Sequence, residues 1–573
     1  MRGYVMFCLA AWMAGMTVCR AAEGMPVVGF RAALADPLAW LYADSTIDGV
    51  ERISEIDVPS NGVIDVNVLI NGLTPGDPLT ISASYSEGEW YRMRAVPVKR
   101  NTGVRGFLEK NPGDNPHVAR RAPFEVFDVL EPLPVKRVAL HPDGAALGTA
   151  ATIPSPTETE ALRFRLDRAA EGSMRRFPIR IRVAQGGITR ELPLTVNIHA
   201  VALPPVGKDS FKYTNWMDFG SMAASHGLKM WSEEHWAMIE KYVRLAARGR
   251  QNVGLVRDVF EKDAAGNVVL NNERFTRVLD IYTRAGLWYL EGSHLAGFTG
   301  GWGSPAFKTS FTTNVTTTVP GALALSKMAR AYMAEIDARG LRERWYQHVA
   351  DEPGGKNVAE YRITAGIVRR YMPGIRTVDA VEEPSFAGAL DVWCPKVDAF
   401  QRHRAQYDSF RTNFGDRVWC YTCCIPGGKW MNRTMDGELL RPALIPWVAV
   451  MWDIDGFLHW GYNRWQRNQG QDPFKEPYPK KWGGSNDGHS LPPGDTHIVY
   501  PGTDGPWPSV RLEATRAGME DADLIAALRR RDKALADTLV QRIARGFDDY
   551  DPSCKVYREV RRDILRALET PHN

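Results

Sequence analysis

Between Phe211 and Trp460 the chain alternates eight times between a short apolar run and a longer connecting segment. The apolar runs lie at Phe211–Met217, Asn252–Val256, Leu287–Glu291, Tyr346–Ala350, Thr377–Ala380, Asp391–Cys394, Val418–Cys423 and Gly456–Trp460. Several connections have helical spacing, as at Trp236, Ile239, Val243 and Ala246 behind Ser232, a residue suited to an N-cap. Asn357 is placed to cap another, and Gly286, Gly340 and Pro373 stand where three of these helices must stop. Strands separated by helices build a parallel sheet, because parallel neighbours need a long crossover. Eight such units predict a closed (β/α)₈ barrel. An open doubly wound sheet is the alternative, but no glycine fingerprint follows the first strand.

The rhythm before the barrel is different. Ile64 to Ile70 and Leu79 to Ala83 alternate with period two, as do Pro178 to Val183 and Leu192 to Ile198, with Gly, Pro and Asp between the runs. That pattern predicts a β-sandwich. The fold class expected is therefore multidomain α and β. A sandwich over residues 23–205 precedes a (β/α)₈ barrel over 206–500, and a C-terminal extension over 501–573 holds the last barrel helix and trailing helices. Leu203 to Gly207 reads as the linker. Thr496 to Tyr500 adds a strand and Ser509 to Arg545 reads as helical. Trp465 to Asp495 is a long Gly-, Pro- and Asn-rich loop after the eighth strand, on the face where barrels carry their sites.

Composition narrows the function. A net charge of +4 over 573 residues, with basic residues dispersed, gives no electrostatic footprint for nucleic acid. The densest cluster, Arg529 to Arg531, reads as a solvated helix face. At the N-terminus, Arg2 and the apolar run Tyr4 to Val18 precede Cys19-Arg20-Ala21, a pattern that predicts an export signal cut near Ala21 or Ala22. A short membrane anchor is the alternative, though the run is marginal for a span, and Val18 fits poorly before a lipidated Cys19. No later segment is long and apolar enough to span. The mature protein is expected to be periplasmic or extracellular, either free or surface-attached. Five cysteines lie beyond the leader: Cys394, Cys420, Cys423, Cys424 and Cys554. Their odd number argues against a disulfide framework. Cys420 and Cys423 resemble half a zinc knuckle with no second half, so no metal and no other cofactor is expected.

Barrel enzymes carry their reactive groups at the C-terminal ends of the strands. Here those ends read Asn215-Trp216, Glu291 to His294, Asp351-Glu352, Trp393-Cys394-Pro395, Trp419-Cys420-Tyr421 and Trp460 to Asn463. Carboxylates, indoles, a phenol, an imidazole and an amide on one rim suit a sugar, with aromatics for its ring and polar groups for its hydroxyls. The acid pair matters most, since paired carboxyls are what glycoside cleavage needs. Neighbours on a regular strand face opposite ways, so both acids serve one site only if the strand ends there. Pro353 biases Glu352 away from helical dihedrals. No Gly-x-Ser-x-Gly elbow and no His-Glu-x-x-His helix competes with this reading. Taken singly, each residue has a plainer role: Trp393, Trp419 and Trp460 as barrel core, His294 as a loop histidine, Glu291 as an anchor, Asn463 as a turn residue.

The run Tyr346 to Pro353, ending in Asp351-Glu352-Pro353, resembles the catalytic strand of glycoside hydrolase family 123. The tail from Tyr500 through Arg511, Glu513, Arg516 and Gly518 to Asp521 resembles the same family. Trp231 to Trp236, Asp391 to Pro395 and Gly456 to Trp465 support it. This resemblance covers about residues 211–525. It implies an exo-acting, retaining β-N-acetylgalactosaminidase whose partner is a glycan or glycolipid with terminal N-acetylgalactosamine, working by substrate assistance. In that scheme the sugar's 2-acetamido oxygen attacks the anomeric carbon. Asp351 accepts the acetamido N–H, and Glu352 protonates the leaving oxygen. Tyr421 would donate to the acetamido oxygen and Trp460 or Trp393 would wall its pocket. Trp216, Glu291, His294 and Asn463 complete the expected binding set. The competing readings are an exo-β-N-acetylhexosaminidase acting on N-acetylglucosamine and a non-catalytic glycan-binding protein.

Overall fold

Eight strands form one parallel sheet in a computed structural model that describes residues 29–139, 147–167, 176–465, 471–479 and 490–570. They are β1 (Lys212–Asn215), β2 (Val253–Val256), β3 (Tyr289–Gly292), β4 (Trp345–Gln347), β5 (Arg376–Asp379), β6 (Val392–Trp393), β7 (Arg417–Thr422) and β8 (Gly456–His459). β1 pairs with β8, and pairing then runs from β8 down to β2, so the sheet curls into a barrel. Asn252 closes the seam. Its N–H donates to Tyr213 O at 3.2 Å, and its side-chain oxygen accepts the Tyr213 N–H at 2.9 Å. The strands are short, and each lies within a few residues of its expected run.

The connections are the expected helices. α1 (Glu233–Arg248) starts at Ser232, whose hydroxyl accepts the His235 N–H. α2 (Asn272–Ala285) stops at Gly286, which takes φ 94°, a conformation open to glycine. α3 (Val319–Ala338), α4 (Val358–Tyr371), α5 (Arg404–Phe414) and α6 (Leu440–Met451) follow. α7 (Val510–Arg531) closes the ring against α6. Gly518 permits that approach, since a Cβ there would strike the Ala443 carbonyl. Asn357 departs from expectation. It stands at the cap position of α4, but its side chain accepts the Gly354 N–H and donates to Ser304 O instead. The helix expected to run unbroken to Arg545 is interrupted at Asp532, which caps α8 (Lys533–Gln541) by accepting the Leu535 N–H at 2.9 Å. α9 (Cys554–Glu569) completes the extension. Arg529 is not on a solvated face: it donates to the Met451 carbonyl and to Asp453 and Asp537.

The N-terminal region is a sandwich of a five-stranded and a six-stranded sheet. Ile64, Val66, Val68 and Ile70 of the strand Val63–Asn71 face Ile179, Ile181 and Val183 across the sandwich core. The alternate positions, Asp65 and Asn67, are also buried. They face the barrel, where Asp65 pairs with Arg163 and with Arg516 of α7. This strand of the five-stranded sheet is therefore buried on both faces. Leu69, Tyr91, Met93, Phe127 and Leu130 share one hydrophobic core with Val243, Ala246 and Leu512 of the barrel helices.

The expected leader, residues 1–22 with Cys8 and Cys19, lies outside the described residues, as do residues 466–470 and 480–489 of the long loop. Among the described residues no helix is long and apolar enough to cross a membrane.

Candidate active site

Inside the barrel, Val253, Tyr346, Val378, Val392, Trp419 and Leu458 fill the core beneath the C-terminal rim. Trp419 thus belongs to the core, packed edge-on to Tyr346 at 5.1 Å. Strand β4 ends above this layer, and Asp379 at the end of β5 pins the residues just past that strand. Its carboxylate accepts the N–H of Val349 at 3.1 Å, the N–H of Ala350 at 3.3 Å and the Tyr361 hydroxyl at 2.6 Å. The chain then turns. Glu352 adopts φ 42°, a left-handed conformation costly for a residue with a Cβ. Pro353 disfavours the helical alternative. The turn breaks strand alternation, and the two consecutive carboxyls lie near enough for the Asp351 charge to act on Glu352.

Both acids are partly open, with side chains 37% and 21% exposed for Asp351 and Glu352. Asp351 Oδ1 lies 3.7 Å from His294 Nε2, at the end of β3. Glu352 Oε1 lies 3.5 Å from Lys396 Nζ, which follows β6 and also pairs with Glu382. Glu352 Oε2 accepts the indole N–H of Trp302 at 3.1 Å. Protein around the pair raises both pKa values. Burial is the main cause for Asp351, pushed up to about 6 against the nearby His348 charge. Burial also raises Glu352 against Lys396, and the Asp351 charge adds to the rise. Lys396 is buried, but its carboxylate neighbours hold it in the cationic form.

Beneath Asp351, His348 lies between two carboxylates, with Nδ1 3.1 Å from Asp379 and Nε2 3.3 Å from Glu291. Burial opposes its charge, but the two acids overcome it and raise its pKa to about 10. His294 stacks at 4.5 Å on that ring, and burial followed by the His348 charge pushes it down to about 3. One imidazole is thus charged and its neighbour neutral. His294, His348 and Asp379 each offer an atom within 4.8 Å of the others, a spacing that fits a cation. Both nitrogens of His348 already face carboxylates, Asp379 and Glu291.

The expected binding residues divide into three groups. Trp216 sets its edge against His294 and His348 at 5.4 and 5.5 Å, and Tyr421 lies under the Lys396 ammonium within electrostatic reach of both acids. Burial keeps the Tyr421 phenol protonated, hence a donor. Trp460 is half-buried beside Arg464 and Asp495. Glu291 is one layer lower and fully buried, accepting from Thr214 at 2.8 Å and facing His348. Two expectations need correction. Trp393 points outward into the helical layer, stacked on Phe410 at 5.0 Å with its N–H donated to Asp416, and cannot wall a sugar pocket. Asn463 is buried with its amide spent on Asp218, accepting at 2.8 Å and donating at 3.0 Å. Trp302, His348, Asp379, Glu382 and Lys396 were not singled out from the sequence. Trp302 had a visible signal, since an indole flanked by Gly300, Gly301 and Gly303 is hard to bury.

The family model described as glycoside hydrolase 123, catalytic domain, matches residues 259–528, which span the acid pair. The chain carries a glycoside hydrolase 123 catalytic domain. A solved family 123 glycoside hydrolase from Clostridium perfringens, described for glycolipid glycan hydrolysis, aligns with 94% of this chain and 97% of its own. The TM-score is 0.66 at 12% identity, which shows a shared fold across sandwich and barrel together. A β-glucuronidase from Parabacteroides merdae aligns at TM-score 0.29 and 8% identity over 85% of this chain and 51% of its own. An endo-β-1,4-mannanase from Thermotoga petrophila aligns at 0.34 and 10%, over 55% and 78%. Likeness that slight carries no functional weight. No curated protein sequence matches the chain. With this family 123 domain the protein is a glycoside hydrolase.

Proposed function

We propose that this glycoside hydrolase releases terminal β-linked N-acetylgalactosamine, with retention, by using the sugar's own 2-acetamido group as nucleophile. The observation that carries the reading is the left-handed turn at Glu352, where two consecutive carboxyls lie near enough for the Asp351 charge to raise the Glu352 pKa. An ordinary retaining pair stands roughly 5 Å apart across the scissile bond, one carboxyl on each face of the sugar. Consecutive residues, with Cα atoms about 3.8 Å apart, approach from one side only. The attacking atom must then come from the substrate.

Asp351 accepts the acetamido N–H and offsets the charge of the oxazolinium as the acetamido oxygen bonds to the anomeric carbon. Glu352 gives its proton to the leaving oxygen as that bond breaks. Water then attacks the anomeric carbon, Glu352 takes the water proton, and the acetamide is restored. Tyr421 donates to the acetamido oxygen, with Trp216 and Trp460 as pocket walls. Neutral His294 is free to bond a hydroxyl. The description of the Clostridium perfringens relative supports glycolipid-type glycans as the substrate class. The leader-like N-terminus supports a periplasmic or extracellular site of action.

A panel of aryl glycosides of N-acetylgalactosamine, N-acetylglucosamine and galactose tests the reading. Hydrolysis of the first alone is expected. Equal turnover of galactoside would remove the acetamido group from the mechanism.

A further inference from the structure

Trp302 is 70% exposed, yet its N–H is committed to Glu352. The indole stands on a tight turn. The Ser304 N–H and hydroxyl both donate to Gly301 O, at 3.1 and 2.7 Å. Ser304 O in turn accepts from Asn357 at 3.1 Å, which ties the turn to the start of α4, just beyond the acid pair. Phe298 supports one side, its ring 5.6 Å from the indole and stacked at 5.3 Å on buried Phe307. The rest of the indole lies open to water beside the site.

Direction comes from chemistry. A general acid faces the glycosidic oxygen as it gives its proton, so an open group bonded to that same carboxyl stands beside the bond being cut. An open, anchored indole there has the shape and polarity to stack on the C–H face of a pyranose. We infer that Trp302 is the platform of a leaving-group subsite that binds the sugar released from N-acetylgalactosamine. The inference rests on Glu352 being the proton donor. It makes Trp302 a specificity residue: the protein recognises a sugar, rather than a lipid chain, on the far side of the scissile bond.

The test uses the full chain. In a Glu352→Gln background, binding of β-N-acetylgalactosaminyl-galactose and of free N-acetylgalactosamine is measured by calorimetry. Adding Trp302→Ala is expected to weaken disaccharide binding about 10-fold, the scale of one aromatic contact, and to leave the monosaccharide within 2-fold. Trp302→Phe should recover most of the loss. With Glu352 intact, Trp302→Ala should lower kcat/KM for the disaccharide by a similar factor and spare N-acetylgalactosaminyl fluoride, whose leaving atom carries no sugar. Equal losses for both ligands, no loss for the disaccharide, or a loss only when a lipid chain is attached would each overturn the subsite. A Glu352→Gln enzyme that cleaves the disaccharide at the wild-type rate sinks the acid assignment instead, whatever Trp302 does.

Discussion

His348 Nδ1 lies 3.1 Å from Asp379 Oδ1, a contact that helps tie the segment before the acid pair to strand β5. Asp379 also holds the N–H groups of Val349 and Ala350 and the Tyr361 hydroxyl, while the other face of His348 meets Glu291. Asp379→Ala leaves a buried imidazolium facing one acid and strips three donors of their acceptor. Breaking such a buried pair costs about 3–5 kcal/mol. The expected result is a clear fall in apparent Tm and at least a 100-fold loss of kcat/KM, although Asp379 touches no substrate. An unchanged Tm by calorimetry would show that this cluster carries no charge.

The same cluster sets a pH dependence of stability. The folded-state pKa of His348 is raised, to about 10, so its contribution is complete below the unfolded value near 6.5 and is lost as pH rises through 10. Wild-type Tm should therefore fall between pH 7 and pH 10. His348→Gln should be less stable at pH 7 and lose less over that interval. Parallel Tm curves for the two proteins would contradict the assignment.

The acid pair should separate by leaving group. Glu352→Gln removes the proposed proton donor, so activity on poor leaving groups should fall by far more than on activated aryl ones. Asp351→Asn removes the group proposed to steady the oxazolinium, and both substrate types should suffer. Small, equal losses from the two substitutions would exclude the proposed division of labour.

In the proposed mechanism Asp351 acts as a carboxylate, and its pKa is raised to about 6. The acid limb of kcat/KM should therefore bend near pH 6 rather than near the usual aspartate value of about 4. Lys396 favours the Glu352 anion, so Lys396→Met should raise the pKa of Glu352 and carry the alkaline limb to higher pH. A profile that does not move would place Lys396 outside the proton-transfer step.

Much of the barrel was legible because each strand–helix unit writes its own local signal. All eight strands lie where the apolar runs are. The rim position of Asp351 and Glu352 was legible too, since they follow the fourth apolar run directly and precede Pro353. What alternation does not reveal is phase. Barrel strands are buried on both faces and read as continuous apolar runs, so Trp393 looks like Trp419 in sequence. Only tertiary packing turns Trp393 outward onto Phe410 and Trp419 inward onto Tyr346. His348 and Asp379 were hidden for a related reason: their meaning comes from each other, across two strands. In the sandwich, the alternation from Ile64 to Ile70 does not tell that Asp65 and Asn67 are buried as well.

That buried polar face carries the last prediction. Arg511 of α7 donates to both oxygens of Asp128 on the sandwich strand Phe124–Pro132, at 3.1 and 3.0 Å, with both side chains fully buried. Tyr500 adds a bond to the same carboxylate at 2.6 Å, and Arg165 of the sandwich pairs with Glu513 two residues along α7. Arg511→Met leaves Asp128 as a buried charge with no cation, which should cost about 3–5 kcal/mol. Adding Asp128→Asn removes that orphaned charge and should recover part of the loss, the signature of direct coupling in a double-mutant cycle. Because one apolar core also spans the two regions, wild type should unfold in a single calorimetric transition. Residues 206–573 expressed alone should be insoluble, since removing the sandwich bares the shared core and leaves Arg511 and Glu513 without partners. Two resolved transitions in the intact chain, or a soluble and active barrel, would show that the sandwich is a detachable module.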